Sequence, residues 1–150
     1  MLSFALPTDQ QKLIKDLIDY HEQNMLPRYE KLQAYYMGQH KITDRRTEDG
    51  KPNNKVVNPY PDLIIQTVAG YMLGQPVKYT SEDEAHLQCI KDVFSCNNEE
   101  DHNLEVLKTF STQGEAFELV YLDENAEINF AQLPNEQTIA IYDDSIKLNK

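Results

Sequence analysis

Apolar side chains recur at helical intervals through most of the chain and change to strand-like alternation only near its end. Leu13, Ile14, Leu17, Ile18 and Tyr20 form a stripe three and four residues apart, which predicts a helix over residues 9–24, with Thr8 and Gln11 as a capping-box pair at its start. Pro27 interrupts that helix, because proline lacks the N–H an interior turn needs. Tyr29, Leu32, Tyr35 and Tyr36 then carry an amphipathic pattern onward to Gly38. Residues 40–58 are rich in Lys, Arg, Asp, Asn and Gly without periodicity and read as a loop. Asn53 and Asn54 suit a turn there, since their side chains can bond nearby backbone groups.

The next helix is expected to begin with Asn58 as its N-cap and Pro59 in the first helical position. Leu63, Ile64, Val68, Tyr71 and Met72 recur at helical spacing, Ile65 and Ala69 widen the apolar surface, and Gly74-Gln75-Pro76 closes the run. The expectation is a buried helix. Gly70 and Gly74, four apart, would let another backbone approach one face, while Gly74 also reads simply as a C-terminal cap. With roughly 15 residues between its prolines and with Asp62 and Gln66 inside, the segment is too short and polar for a membrane span of about 20 apolar residues.

A short strand is expected at residues 77–80. Acidic residues 82–84 favour the start of a further helix carrying Ala85, Leu87, Ile90, Val93 and Phe94. Another follows, capped by Asp101, striped by Leu104, Leu107 and Phe110, and closed by Gly114. The period then changes. Residues 116–122 are β-branched and aromatic enough for a strand, 123–125 turn, and 127–132 alternate, predicting a hairpin, with residues 138–142 as a third strand. The fold class is α+β: amino-terminal helices followed by a small antiparallel β-meander, in one domain spanning residues 1–150.

Two stretches carry a resemblance that periodicity could not supply. NNKVVNPYPDLIIQTVAGYMLGQPVKY at residues 53–79, with YYMGQHKI at 35–42 just upstream, is similar to the amino-terminal region of siphophage-type portal proteins of tailed phages. That family runs from a helix through a Tyr-Tyr-x-Gly-x-His turn, an asparagine-rich loop and a helix ending in Gly-x-Pro, into further helices and strands. GEAFELVYLDENAEINFAQLPNEQTIAIYDD at 114–144 resembles the strand region. The resemblance covers residues 13–145.

It implies a structural protein without catalysis or cofactor. Portals of this kind form a dodecameric ring at one capsid vertex, contact capsid protein, dock the terminase motor and give phage DNA its channel. Members are several times longer and carry stem and clip segments. The resemblance therefore implies the amino-terminal, wing-side part of a portal, either a prophage remnant or a trimmed chain, located in the virion or, as a prophage product, in the host cytoplasm. Candidate subunit contacts are Tyr35, Tyr36, Arg45, Arg46, Asn53 and Asn54. Tyrosines at this spacing pack with a wet hydroxyl or meet another subunit, since no basic residues interleave them for base stacking. Arg45 and Arg46 fit either a solvated loop or a contact with a neighbouring subunit or nucleic acid.

Charge and chemistry narrow the picture further. The net charge of −11 opposes a sequence-independent grip on DNA phosphates. Its distribution is uneven: residues 41–55 hold five basic and three acidic side chains, whereas 81–106 hold eight acidic and one basic. The acidic part would repel DNA, attract a basic neighbour, or simply keep the surface solvated. Like charge and a missing stem together predict a mainly monomeric or weakly associated chain. The first ten residues lack Lys and Arg, which argues against a secretory leader. Cys89 and Cys96, seven apart on a predicted helix, lie roughly 10 Å apart along its axis and do not bridge readily; they suggest partly buried thiols in a reducing compartment. His21, His40, His86 and His102 stand apart, no metal or nucleotide motif occurs, and Asp143-Asp144 is the one suggestive carboxylate pair, best read as an exposed loop. No catalyst, metal site or membrane contact is nominated. The alternative function is a small soluble α+β binding or regulatory protein unrelated to DNA packaging.

Overall fold

Pro27 does not break the amino-terminal helix but is absorbed by it. In the computed structural model, which describes residues 10–46, 50, 52 and 54–141, helix α1 (Gln10–Tyr20) widens into one π turn (His21–Met25) and continues as α2 (Leu26–Tyr36). The Leu26 N–H reaches back five residues to the His21 carbonyl, so Pro27 falls in the first turn of a new helix, where a missing donor costs little. Of the predicted α1 stripe only Leu17 is buried; Ile14, Ile18 and Tyr20 are exposed. The capping pair begins at Thr8, outside the described residues.

Helix α3 (Tyr60–Leu73) starts later than the Asn58 cap predicts, and no side chain caps it. Pro59 sits at φ −77°, ψ 62°, with the Tyr60 N–H bonded to the Asn58 carbonyl at 2.8 Å. That is an inverse γ-turn, so Pro61 rather than Pro59 occupies the first turn. Residues 77–80 join no sheet. Tyr79 pins them instead: its ring lies 5.0 Å from that of Phe94, and its hydroxyl donates to Glu99 Oε1 at 2.6 Å.

Helix α4 (Glu84–Cys96) is capped by Asp83, whose carboxylate accepts the His86 N–H at 3.1 Å. That backbone bond holds the Asp83 carboxyl below its ordinary range. Helix α5 (Glu99–Gln113) begins two residues before Asp101, after Asn98 in a left-handed conformation; Asp101 is not its cap but accepts from the Asn98 amide. Gly114, at φ +88°, closes it as expected. Phe110, predicted for the core, is exposed, as are both cysteines. Helices α2, α3 and α5 pack together, with α4 laid against α5 and the sheet.

The sheet is a two-stranded antiparallel hairpin of β1 (Phe117–Leu122) and β2 (Ile128–Leu133), and the class is α+β. The expected third strand does not form over residues 138–141, which join no ladder; Tyr142 is outside the described residues. The two edges of the hairpin differ. Asn97, at the end of α4, donates to the Ile128 carbonyl at 2.8 Å and accepts the Phe130 N–H at 2.7 Å. Those groups point away from β1, so by ladder alternation their partners Leu122 and Val120, and Glu118 opposite Gln132, turn their backbone groups to the open side of β1.

Burial is shared between apolar and polar side chains. Leu17, Tyr29 and Ala69 are buried, and so are His21, Gln113 and Asn135. The Tyr29 hydroxyl donates to Glu115 Oε1 at 2.7 Å. Asn135, in a 3₁₀ turn (Asn135–Gln137), donates to Gln113 Oε1 and to the Glu115 carbonyl, both at 2.7 Å. Gln113 in turn donates to Glu136 Oε1 at 2.9 Å, and His21 Nε2 meets the Glu136 carbonyl at 3.1 Å. One set of bonds thereby ties the π turn and α2 to the end of α5, the start of β1 and the turn after β2.

Asn97→Ala strips partners from two β2 backbone groups and is expected to cost about 2 kcal/mol, read by urea unfolding, with faster hydrogen exchange at the Phe130 amide. Burial, then the Glu115 carboxylate, raises the Tyr29 phenol well above its ordinary value. A raised folded value means that this contribution is complete below about pH 10 and is lost as pH rises through the folded value. Alkaline unfolding of Tyr29→Phe should therefore show a shallower loss of stability above about pH 10 than the parent chain.

Candidate functional site

The predicted contact residues gather where α2 turns into the basic loop. Gly38, at φ +78°, reverses the chain, and the next residues form a 3₁₀ turn (Lys41–Asp44) in which Thr43 Oγ1 donates to the His40 carbonyl at 2.8 Å. Lys55 Nζ donates to the Thr43 carbonyl at 2.6 Å, drawing the far end of the loop back to its start. A Cβ on Gly38 would lie 3.2 Å from Val57 Cγ1, which shows how closely the returning chain lies against the turn.

The six nominated residues are not equivalent within this framework. Tyr35 is partly exposed and meets the His40 ring edge-on at 5.4 Å. Tyr36 faces inward, its hydroxyl accepting from Gln66 Nε2 at 3.2 Å and so linking α2 to α3. Burial and the nearby Asp62 carboxylate raise its phenol. Arg45, Arg46 and Asn54 lie exposed on the loop, and Asn53 falls outside the described residues. Tyr36 is thus bonded within the chain, whereas Tyr35, Arg45, Arg46 and Asn54 are exposed.

The larger surface feature is one that sequence periodicity misassigned. Helix α3 is not a buried helix: Leu63, Ile64, Val68 and Met72 are exposed, and Tyr71 is 92% exposed. At about 100° per residue these five cover roughly half the helix circumference. The inward arc is narrower and is built on Ile65, Ala69 and Leu73, of which only Ala69 is fully buried. Tyr60 extends the outer face toward the loop. Gly70 has open space where a Cβ would be, so no other element among the described residues approaches it, and Gly74 ends the helix without a left-handed turn. The helix is apolar on nearly every side, so its pattern carried no signal for which face turns inward. Five large apolar side chains thus share one exposed face.

Polar pairs elsewhere join separate elements of the fold. His102 Nε2 meets Glu118 Oε2 at 2.5 Å, joining α5 to β1, and Arg28 lies 3.4 Å from Glu115. Among the described residues no three His, Cys, Asp or Glu side chains are grouped to hold a metal ion, and no helix is long and apolar enough to cross a membrane. Asp143 and Asp144 lie outside the described residues.

The sequence matches the family described as phage portal protein, SPP1 Gp6-like, over residues 15–149. It is also similar to the portal protein of Bacillus phage SPP1, 25% identical over 146 residues, a match covering 90% of this chain and 28% of that protein. The chain thus spans under a third of the length of the curated relative it matches.

Gly38→Ala places a methyl group in a left-handed conformation and against Val57. It is expected to lower stability by about 1–2 kcal/mol, seen as a reduced Tm.

Proposed function

The chain belongs to the SPP1 Gp6-like family of phage portal proteins, and from that premise we propose that it is an assembly subunit whose working part is its surface. The observation that carries this reading is the outward apolar half of α3, crowned by Tyr71. Water-facing Leu, Ile, Val, Met and Tyr at helical spacing lose little by being covered, and a neighbouring subunit is the covering a ring supplies.

The finer reading follows the family. The chain corresponds to the amino-terminal, wing-side part of a portal, a single α+β domain outside the stem and clip. It contributes to a dodecameric ring at a capsid vertex of the virion, through which terminase drives phage DNA in and from which the DNA later leaves. The role is structural and non-catalytic. A net charge of −11 fits a part that does not grip the DNA itself, since phosphate binding depends on Lys and Arg. Contacts with capsid protein belong to the same proposal.

Light scattering on the purified chain at low and high concentration tests the reading. A mass that climbs above 17.4 kDa with concentration is expected, because the helix face is present without the rest of a portal. Replacing Leu63 and Tyr71 together by Glu should weaken that association by roughly tenfold or more. A mass fixed at one chain in both proteins would overturn the assembly role of α3.

A further inference from the structure

We propose that the pocket between α5, β2 and the Asn135–Gln137 turn is a socket for a basic side chain, Lys41 or Arg46, from a second copy of this chain. The inference rests on the assembly reading and says where one contact lies. The pocket has a volume of about 680 Å³ and is lined by Glu105, Thr109, Gln113, Gln132, Asn135 and Glu136, among others. Its floor is unfinished. Asn135 is 1% exposed, and its side-chain amide donates to Gln113 Oε1 and the Glu115 carbonyl. Its Oδ1 is buried with no hydrogen-bond partner.

No Lys or Arg lines this site, whose other members include Gln33 and His102, the latter engaged with Glu118. Gln113 Nε2 is committed to Glu136 Oε1, and Gln132 Nε2 to Thr109 Oγ1 at 2.5 Å. Arg28 is held by Glu115 and the Gln113 carbonyl. Glu136 and Glu105 place two carboxylates in the lining, and Glu136 Oε1 already accepts from Gln113. An orphan carbonyl beside two carboxylates calls for a cationic donor with several N–H groups, which is the chemistry of guanidinium and ammonium side chains.

A second copy is the source that fits a closed ring. Identical subunits arranged in a ring join through two unlike, complementary surfaces, so one chain must carry both halves of the contact. Residues 81–106, which include Glu105, hold eight acidic side chains to one basic; residues 41–55 hold five basic to three acidic. Within that basic segment Lys55 is bonded to Thr43, whereas Lys41 and Arg46 are exposed. Both sit on or beside the short 3₁₀ turn that follows the Gly38 reversal.

The test mixes unlabelled and nitrogen-15-labelled chain in equal amounts, couples amines directly to carboxylates with a carbodiimide, and identifies the joined peptides by mass. Expected are mixed-isotope pairs joining Lys41 to Glu105 or Glu136, abolished in the Glu105→Gln/Glu136→Gln double variant. That variant should keep the parent's circular dichroism and lose roughly tenfold in self-association. Arg46→Glu should weaken association similarly, and combining it with Glu105→Arg should restore it. Pairs of one isotope only would place the donor in the same chain and overturn the proposal. Interchain pairs found only elsewhere would overturn the socket while leaving assembly standing. A chain monomeric at every concentration would overturn both. An unchanged association in the double variant would leave Asn135 Oδ1 to a buried water and also sink the socket.

Discussion

A bonded pair of amides, Asn135 against Gln113, is the contact on which the rest of the chain depends. Asn135 sits in the turn after β2 and reaches the last turn of α5 and the Glu115 carbonyl just before β1. Tyr29 of α2 grips the Glu115 side chain from another direction, and His21 of the π turn meets the Glu136 carbonyl. Hydrogen bonds of this kind add little net stability each, commonly 0.5–1.5 kcal/mol, but they are directional and costly to leave half made. They therefore fix where the hairpin leaves the helices. Apolar contact, being non-directional, would tolerate several exits.

That polar junction stands in for a large apolar core. Only Leu17, Tyr29 and Ala69 are buried apolar residues among those described, while much of α3 and both faces of β1 meet solvent. A chain of this size can bury a sizeable core, and here a good part of the apolar surface lies outside. On the assembly reading the arrangement is economical: internal polar bonds set the shape, and apolar surface is kept for neighbours. The aromatic row of Tyr79, Phe94, Phe130 and His102 forms a second, smaller cluster that holds α4 and the 77–80 segment to β2.

Helix positions, the closing glycines Gly38 and Gly114, and the hairpin were legible because each rests on local chemistry: spacing, positive φ and alternation. The family was legible from two residue strings, neither of which follows from periodicity. What escaped was whatever tertiary context decides. Helix α3 gave no clue to its inward face because its apolar residues surround it. Pro27 was read as a break because a π turn leaves no sequence mark. Asn58 lost its capping role to a γ-turn at Pro59, and residues 77–80 and 138–141, strand-like in composition, found no ladder partner. Among the candidate contacts, Tyr35 and Tyr36 are adjacent in sequence yet differ, Tyr35 lying more exposed and Tyr36 bonded to α3, a distinction that composition cannot show. Asn97 and Asn135 were missed entirely; a lone asparagine near a helix end or turn usually serves its own backbone, and nothing local says that it bridges to a distant strand.

The unequal edges of the hairpin give the sheet a direction of growth. Asn97 occupies the outer backbone of β2 as a further strand would, so the ladder is already terminated on that side. On the other side Glu118, Val120 and Leu122 present their amides and carbonyls in register. Any strand that enlarges this sheet, from its own chain or another, must enter beside β1 and take its twist from there. The order of strands in any larger sheet is thus constrained by a single side chain on the opposite edge.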